Sequence, residues 1–147
     1  MADIVVRHAE SDADLSACFL VAHQLRPHLA GSDDFIERVR RMAAENYRVL
    51  AVWDGGTVLA LAGYRLQENL IYGRFLYVDD LVTTAASRGH QFGARLLDEL
   101  SVLAAHHGCE KLVLDTGLSN ALAQRFYFRQ GLVTGAMRFS KFIAQEN

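Results

Sequence analysis

The spacing of apolar positions changes several times along the chain, and each change marks an element. Ile4 to His8 is a short β-branched run, the pattern of an opening or edge strand. From Asp12, Leu15, Phe19, Ala22 and Leu25 recur at intervals of three and four, which predicts an amphipathic helix broken by Pro27 and Gly31. A second helix, capped by Ser32 or Asp33, carries Phe35, Val39, Met42 and Ala43. Arg48 to Trp53 and Thr57 to Leu66 then flank Asp54-Gly55-Gly56, which predicts a hairpin. Phe75 to Thr83 is a third strand of this group, reached through a QENLIYG loop.

The second half alternates strand and helix. Phe92, Leu96, Leu100, Leu103 and Ala104 form one face of a helix ending near Gly108, and Lys111 to Thr116 (KLVLDT) is a compact buried-type strand. A strand, a helix and a strand with no hairpin turn between them form a βαβ crossover, so the 75–83 and 111–116 strands are expected to be parallel and the connection right-handed. Asn120 to Gln130 is a fourth helix with Gly131 where a left-handed terminal residue is expected. Leu132 to Ile143 is read as one or two closing strands. The order βααβββαβαβ, with its central crossover, is that of an α/β fold on one mixed sheet.

Composition narrows the function classes. The 147 residues are one domain's length and 51% hydrophobic, enough for a core, and no linker or repeat divides residues 1–147. Fifteen basic against 17 acidic residues give a net charge of −2, with no electrostatic reason to expect nucleic acid or an anionic membrane as the main partner. Cys18 and Cys109 cannot build a disulfide framework, and the N-terminus lacks a signal-peptide apolar region. No apolar run approaches the ~20 residues of a spanning helix. A cytoplasmic setting and a small-molecule partner are the expectations.

The stretch Thr83-Thr84-Ala85-Ala86-Ser87-Arg88-Gly89-His90-Gln91-Phe92-Gly93-Ala94 leads from a strand through a glycine-containing loop into a helix N-terminus. Such a junction aims free backbone N–H groups and the positive end of the helix dipole at one spot, which suits a phosphate or pyrophosphate. Arg88 and His90 add positive charge. Neither the Walker A nor the GxGxxG pattern is present, and glycines shaping a tight turn would give the same letters.

The segment resembles the acyl-CoA-binding motif of the GNAT superfamily of acetyl-CoA-dependent N-acetyltransferases, Gln/Arg-x-x-Gly-x-Gly/Ala. Arg88 and Gly93 fit its ends. Gln91 stands at the middle glycine, a departure that puts a left-handed backbone there in question. Downstream, Asn120, Ala123, Phe126-Tyr127 and Gly131-Leu132 resemble the superfamily's Asn…Ala…(Phe/Leu)-Tyr…Gly-Phe helix. The two motifs stand in the right order with the right strand between them. The likeness covers residues 74–143 well and the N-terminal third in element order alone. FYFRQG…MRFSKF is also similar to small bacterial members that acetylate aminoalkyl compounds, including aminophosphonates.

The resemblance implies a GNAT-like acyltransferase fold and acetyl-CoA as co-substrate, held by Leu81, Val82, Thr83, Arg88, Gly89, His90, Gln91, Phe92, Gly93, Ala94, Asn120, Ala123, Phe126 and Tyr127. Leu81 to Thr83 would lend backbone groups to the pantetheine arm as to an added strand. Tyr127 would sit beside the thioester sulfur. As a phenol of ordinary pKa ~10 it stays protonated at neutral pH and can donate to a departing thiolate; without the motif it reads equally as a core aromatic between Phe126 and Phe128. Asn120 is either a cofactor contact or a plain N-cap.

Amine acetylation also needs a base. Asp79 and Asp80 are adjacent in one strand, so regular alternation sends them to opposite faces. Asp79, which shares parity with Tyr77, Leu81 and Thr83, is the preferred base, and Tyr77 is a further lining residue; either carboxylate could instead be a buried ion pair. The loop Arg26 to Asp34 and the 66–74 loop are expected to border the acceptor, where Asp33 and Asp34 either attract a cationic amine or face water. His106-His107, His23 and His28 lack a ligand spacing, so no metal is expected. Cys109 lies at the wrong end of its helix for an acetyl-cysteine route, which leaves direct attack in a ternary complex. The leading reading is acetylation of a small-molecule primary amine. The alternatives are a peptide or protein amine and a non-catalytic acyl-CoA sensor; a homodimer is an expectation of the family alone.

Overall fold

In the computed structural model, residues 3–146 are described, and the chain resolves into two compact units, Met1–Leu114 and Asp115–Asn147. The first holds one five-stranded sheet in the order β1 (Ile4–His8), β2 (Tyr47–Asp54), β3 (Thr57–Asn69), β4 (Gly73–Thr83), β5 (Lys111–Leu114). The first three pairings are antiparallel and β4–β5 is parallel, as the crossover pattern requires. Helices α1 (Asp12–Leu25), α2 (Ser32–Met42) and α3 (Phe92–His106) complete this unit.

The alternation along β2 explains the layering. Val49, Ala51 and Trp53 face a core shared with Leu15, Cys18 and Val21 of α1 and Phe35 and Val39 of α2. Leu50 and Val52 face the opposite core, built with Leu76 and Val78 of β4 and Leu96 and Leu100 of α3. A central strand covered on both sides reads as a nearly unbroken apolar run, which is what VLAVW is. Ser11 Oγ accepts the Asp14 N–H at 3.1 Å and starts α1. At α2 the expected caps shift by one residue: Gly31 is the N-cap and Ser32 is already helical.

The connection between β3 and β4 also departs from expectation. Most of the QENLIYG loop belongs to β3 and β4; only Leu70 to Tyr72 turn, held by Asn69 Oδ1 accepting the Ile71 and Tyr72 N–H groups at 3.0 and 2.7 Å. Polar letters there mark an exposed hairpin end rather than a loop.

The second unit contains α4 (Ala121–Arg129), with Asn120 Oδ1 accepting the Ala123 N–H at 3.2 Å. Gly131 takes the left-handed conformation, φ 89°, that closes the helix, and the Leu132 N–H reaches back to the Tyr127 carbonyl at 3.0 Å. Leu132 to Ile143, expected as one or two strands, forms no strand within this unit. A strand exists only through a partner's ladder, and the unit's one regular element is a helix.

Candidate active site

The centre of the sheet departs from regular alternation at the two acidic residues. Gly63 of β3 pairs with Asp80 and Tyr64 pairs with Val78, so Asp79 is the extra residue of a β-bulge. The bulge reverses the parity of the strand: Val78 and Leu81 face the α3 core, while Val82 packs on the α1–α2 core. Both carboxylates therefore point to the α1–α2 face. The expected separation onto opposite faces fails because it assumed an unbroken period of two.

Each carboxylate has its own partners. Asp80 Oδ2 accepts the Tyr47 hydroxyl at 2.7 Å, and Oδ1 accepts Arg26 Nε at 2.9 Å. Arg26 also donates to the Asp79 carbonyl at 3.1 Å, fixing the bulge from the end of α1. Asp79 takes Arg65 Nε on both oxygens, at 3.0 and 3.3 Å, and Arg65 reaches on to Glu45 at 3.2 Å. Burial holds the Asp79 carboxyl above its ordinary range against the pull of Arg65. Burial, reinforced by Asp80, raises the Tyr47 phenol well above 10, so Tyr47 stays protonated and acts as donor.

Gly63 makes the Tyr47 contact feasible. A Cβ at this position would lie 1.8 Å from Tyr47 Oη and 2.8 Å from Asp80 Oδ2. The acids were legible in the sequence, but Arg26, Tyr47, Gly63 and Arg65 were not read as their partners. The available signal was that two half-buried acids in mid-strand need donors, and that the preceding hairpin carries a tyrosine and an arginine.

Asp80 forms part of the wall of a cleft of about 170 Å³ between α1, α2 and the sheet. Arg26, His28 and Leu29 of the expected acceptor loop line it; Asp79, Asp33 and Asp34 do not. Asp34 instead accepts the Ala30 N–H and Arg38 Nε, both at 3.0 Å, bracing the start of α2. The 66–74 segment does not border this cleft either. Leu66, Gln67, Glu68 and Arg74 line a separate, wider groove with His8 and Tyr64, because the long hairpin carries them to the other end and face of the sheet.

The strand holding Asp80 also has a free edge. β5 pairs with β4 only from Phe75↔Lys111 to Val78↔Leu114, so among the described residues β3 is the one strand beside residues 79–83. Leu81, Val82 and Thr83 lie on that open edge, which then runs through the one-turn helix Ala85–Ser87 into the loop before α3. Gly89 is left-handed at φ 90°, and Gln91 is left-handed too, at φ 60° and ψ 28°. Gln91 thus adopts the glycine-like backbone that its side chain argued against. Local strain of this kind, about 1 kcal/mol or more in a non-glycine residue, persists where the surroundings fix it.

Gln91 is the N-cap of α3 but supplies no side-chain cap. Asn120 and Ser11, by contrast, cap their helices. The first-turn N–H groups of Phe92, Gly93 and Ala94 therefore have no side-chain cap among the described residues, the arrangement that fits a pyrophosphate. The Phe92 ring itself is buried in the α3 core, with His90 stacked beside it at 5.7 Å, so this residue can offer a ligand its backbone alone. Arg88 is exposed next to this turn. In the second unit, burial raises the Tyr127 phenol above 10, and Asn120 is an N-cap.

Among the described residues no group of three or more His, Cys, Asp or Glu side chains could hold a metal ion. No helix among them is long and apolar enough to cross a membrane.

Comparison with known proteins agrees with this geometry. The family model for the GNAT acetyltransferase family matches residues 13–132. An uncharacterised N-acetyltransferase of Bacillus subtilis, YhdJ, is 28% identical over 125 residues, 84% of this chain and 87% of its own. The aminoalkylphosphonate N-acetyltransferase of Salmonella typhimurium is 26% identical over 92% of this chain and 89% of its own. The fold matches that of the aminoglycoside N-acetyltransferase AAC(6')-Iy, solved with CoA, at a TM-score of 0.85 and 13% identity, over 98% and 97% of the two chains. The family match over residues 13–132, most of the chain, establishes that this chain belongs to the GNAT acetyltransferase family.

Proposed function

We propose that the chain transfers an acetyl group from acetyl-CoA to the primary amine of a small molecule, by direct attack in a ternary complex. The observation that carries this reading is the position of Asp80. It stands in the wall of the cleft, on the same strand whose edge leads into the uncapped turn before α3. Acetyl-CoA supplies the activated thioester. The N–H groups of the α3 first turn and Arg88 hold its pyrophosphate, and the Leu81–Thr83 edge aligns its pantetheine arm and polarises the carbonyl.

Asp80 is preferred to Asp79 as the group facing the amine. Both oxygens of Asp79 are occupied by Arg65, and Asp79 is outside the cleft lining. Asp80 lines the cleft, and its Oδ2, which accepts from Tyr47 alone, keeps a lone pair for the amine while Arg26 holds Oδ1. Asp80 takes the proton the amine must lose, directly or through water, as the C–N bond forms. Tyr127 gives its proton to the sulfur as the C–S bond breaks, and solvent restores both groups. Asp79 and Arg65 position the bulge.

A cleft of about 170 Å³ favours a small molecule over a peptide or protein amine. The test is Tyr127→Phe. Turnover is expected to fall roughly 100-fold, within the usual range for general acid catalysis, with acetyl-CoA affinity within about twofold. Unchanged turnover would remove Tyr127 from the chemistry.

A further inference from the structure

The acceptor cleft is mostly apolar, with Arg26, His28, Arg38, Tyr47 and Asp80 as the polar members of its lining. Leu25, Leu29, Phe35, Val39, Met42 and Val82 supply most of its wall. The charges bordering it are already matched: Arg26 is paired with Asp80, and Arg38 with Asp34 at 3.0 Å. His28 is exposed on the loop between α1 and α2. Asp80 is the one carboxylate in this lining, and its Oδ2, which accepts from Tyr47 alone, is the oxygen open to an amine.

From this we infer that the acceptor is a compact amine with an apolar body, an arylalkylamine or a branched alkylamine, rather than a polyhydroxylated or anionic one. The inference rests on the transferase reading above and adds its substrate class. Size supports it: an apolar cavity of ~150 Å³ accommodates a benzene ring, and this cleft measures about 170 Å³. A ring seated between α1 and α2, with a linker of one or two carbons, places its nitrogen toward the sheet and Asp80. Chemistry supports it equally. Arg26, Arg38 and Tyr47 are already engaged by Asp80 and Asp34, and sugar hydroxyls or a phosphonate set against the apolar stretch of the lining would lose water without gaining partners there, since each buried polar group left unpaired is costly. An apolar body loses nothing by desolvation and excludes water from around the nitrogen.

The experiment compares kcat/KM, with acetyl-CoA saturating, for 2-phenylethylamine, isoamylamine, 2-aminoethylphosphonate and kanamycin, following thiol release. The expected result is that the two apolar amines exceed both polar ones by tenfold or more. Met42→Gln, at a partly buried position, is expected to lower kcat/KM for 2-phenylethylamine several-fold, chiefly through KM, with the acetyl-CoA-induced shift in unfolding temperature retained. Equal or faster turnover of 2-aminoethylphosphonate or kanamycin would overturn the substrate class and leave the transferase reading standing. Acetyl-CoA binding without thiol release on any of the four amines would overturn both.

Discussion

The Tyr47 hydroxyl reaches Asp80 at 2.7 Å across the bare backbone of Gly63. Three strands meet in this contact, since Tyr47 belongs to β2, Gly63 to β3 and Asp80 to β4. The bulge at Asp79 turns the Asp80 carboxylate to this face, and the missing side chain at position 63 leaves room for the phenol.

Gly63→Ala is therefore expected to destabilise the protein more than Tyr47→Phe. Tyr47→Phe removes one hydrogen bond to a charged acceptor, about 1.5–3 kcal/mol. The alanine methyl meets the buried phenol at 1.8 Å and the ring carbon at 2.5 Å, so ring and carboxylate must both move. Urea denaturation of the two variants checks the order. Equal stability of Gly63→Ala and the parent would show that the cleft wall is looser than this packing implies.

The two acids are expected to behave differently. Asp80→Asn should lower kcat/KM by roughly 100-fold or more, as removal of a general base does. Asp79→Asn leaves Arg65 without its main partner and should act first on stability. A larger catalytic loss in Asp79→Asn would exchange the roles.

Gln91 provides a prediction of opposite signs. Gln91→Gly relieves the left-handed strain and is expected to stabilise the fold by a few tenths to about 1 kcal/mol, after the entropy of glycine in the unfolded chain is counted. Gln91→Val places a β-branched side chain at φ 60° and should destabilise it. Thermal unfolding of the pair is the check, and a stabilised valine variant would contradict the conformation described for this turn.

His8 Nε2 lies 2.7 Å from Tyr64 Oη, and burial lowers the His8 pKa below its ordinary 6.5. The native state therefore binds that proton less readily than the unfolded chain. The stability contributed by the neutral ring is present above the unfolded value and falls as pH drops through 6.5 toward the folded value. His8→Gln is expected to show a smaller loss of unfolding temperature between pH 7.5 and 5.5 than the parent. The same loss in both would assign the acid sensitivity to other groups.

The order of elements from β1 to α4 was legible because long apolar periods and a strand-helix-strand run without a turn leave few alternatives. The parallel pairing of β4 and β5 and the left-handed Gly131 followed from the same patterns. The bulge was not legible. Asp79-Asp80 looks like any two neighbours of a strand, and only the register against β3 reveals the extra residue. The Gln91 conformation was misread for a related reason: propensity weighs one residue, while the loop and the α3 core fix the backbone from both sides. The partners of the acids were hidden because Arg26, Tyr47 and Arg65 lie 54, 33 and 14 residues from the carboxylates they bind.

The most direct test of the central claim is thermal unfolding with and without acetyl-CoA, for the parent and for Gly93→Glu. A ligand at ~100 Kd stabilises by about 2.7 kcal/mol, or roughly 5–10 °C for a domain of this size. The predicted result is such a rise in the parent and its loss in Gly93→Glu, where a carboxylate faces the phosphate-binding turn. An equal rise in both would contradict the assignment of the α3 N-terminus, and no rise in a folded parent at millimolar acetyl-CoA would contradict the proposed use of acetyl-CoA itself.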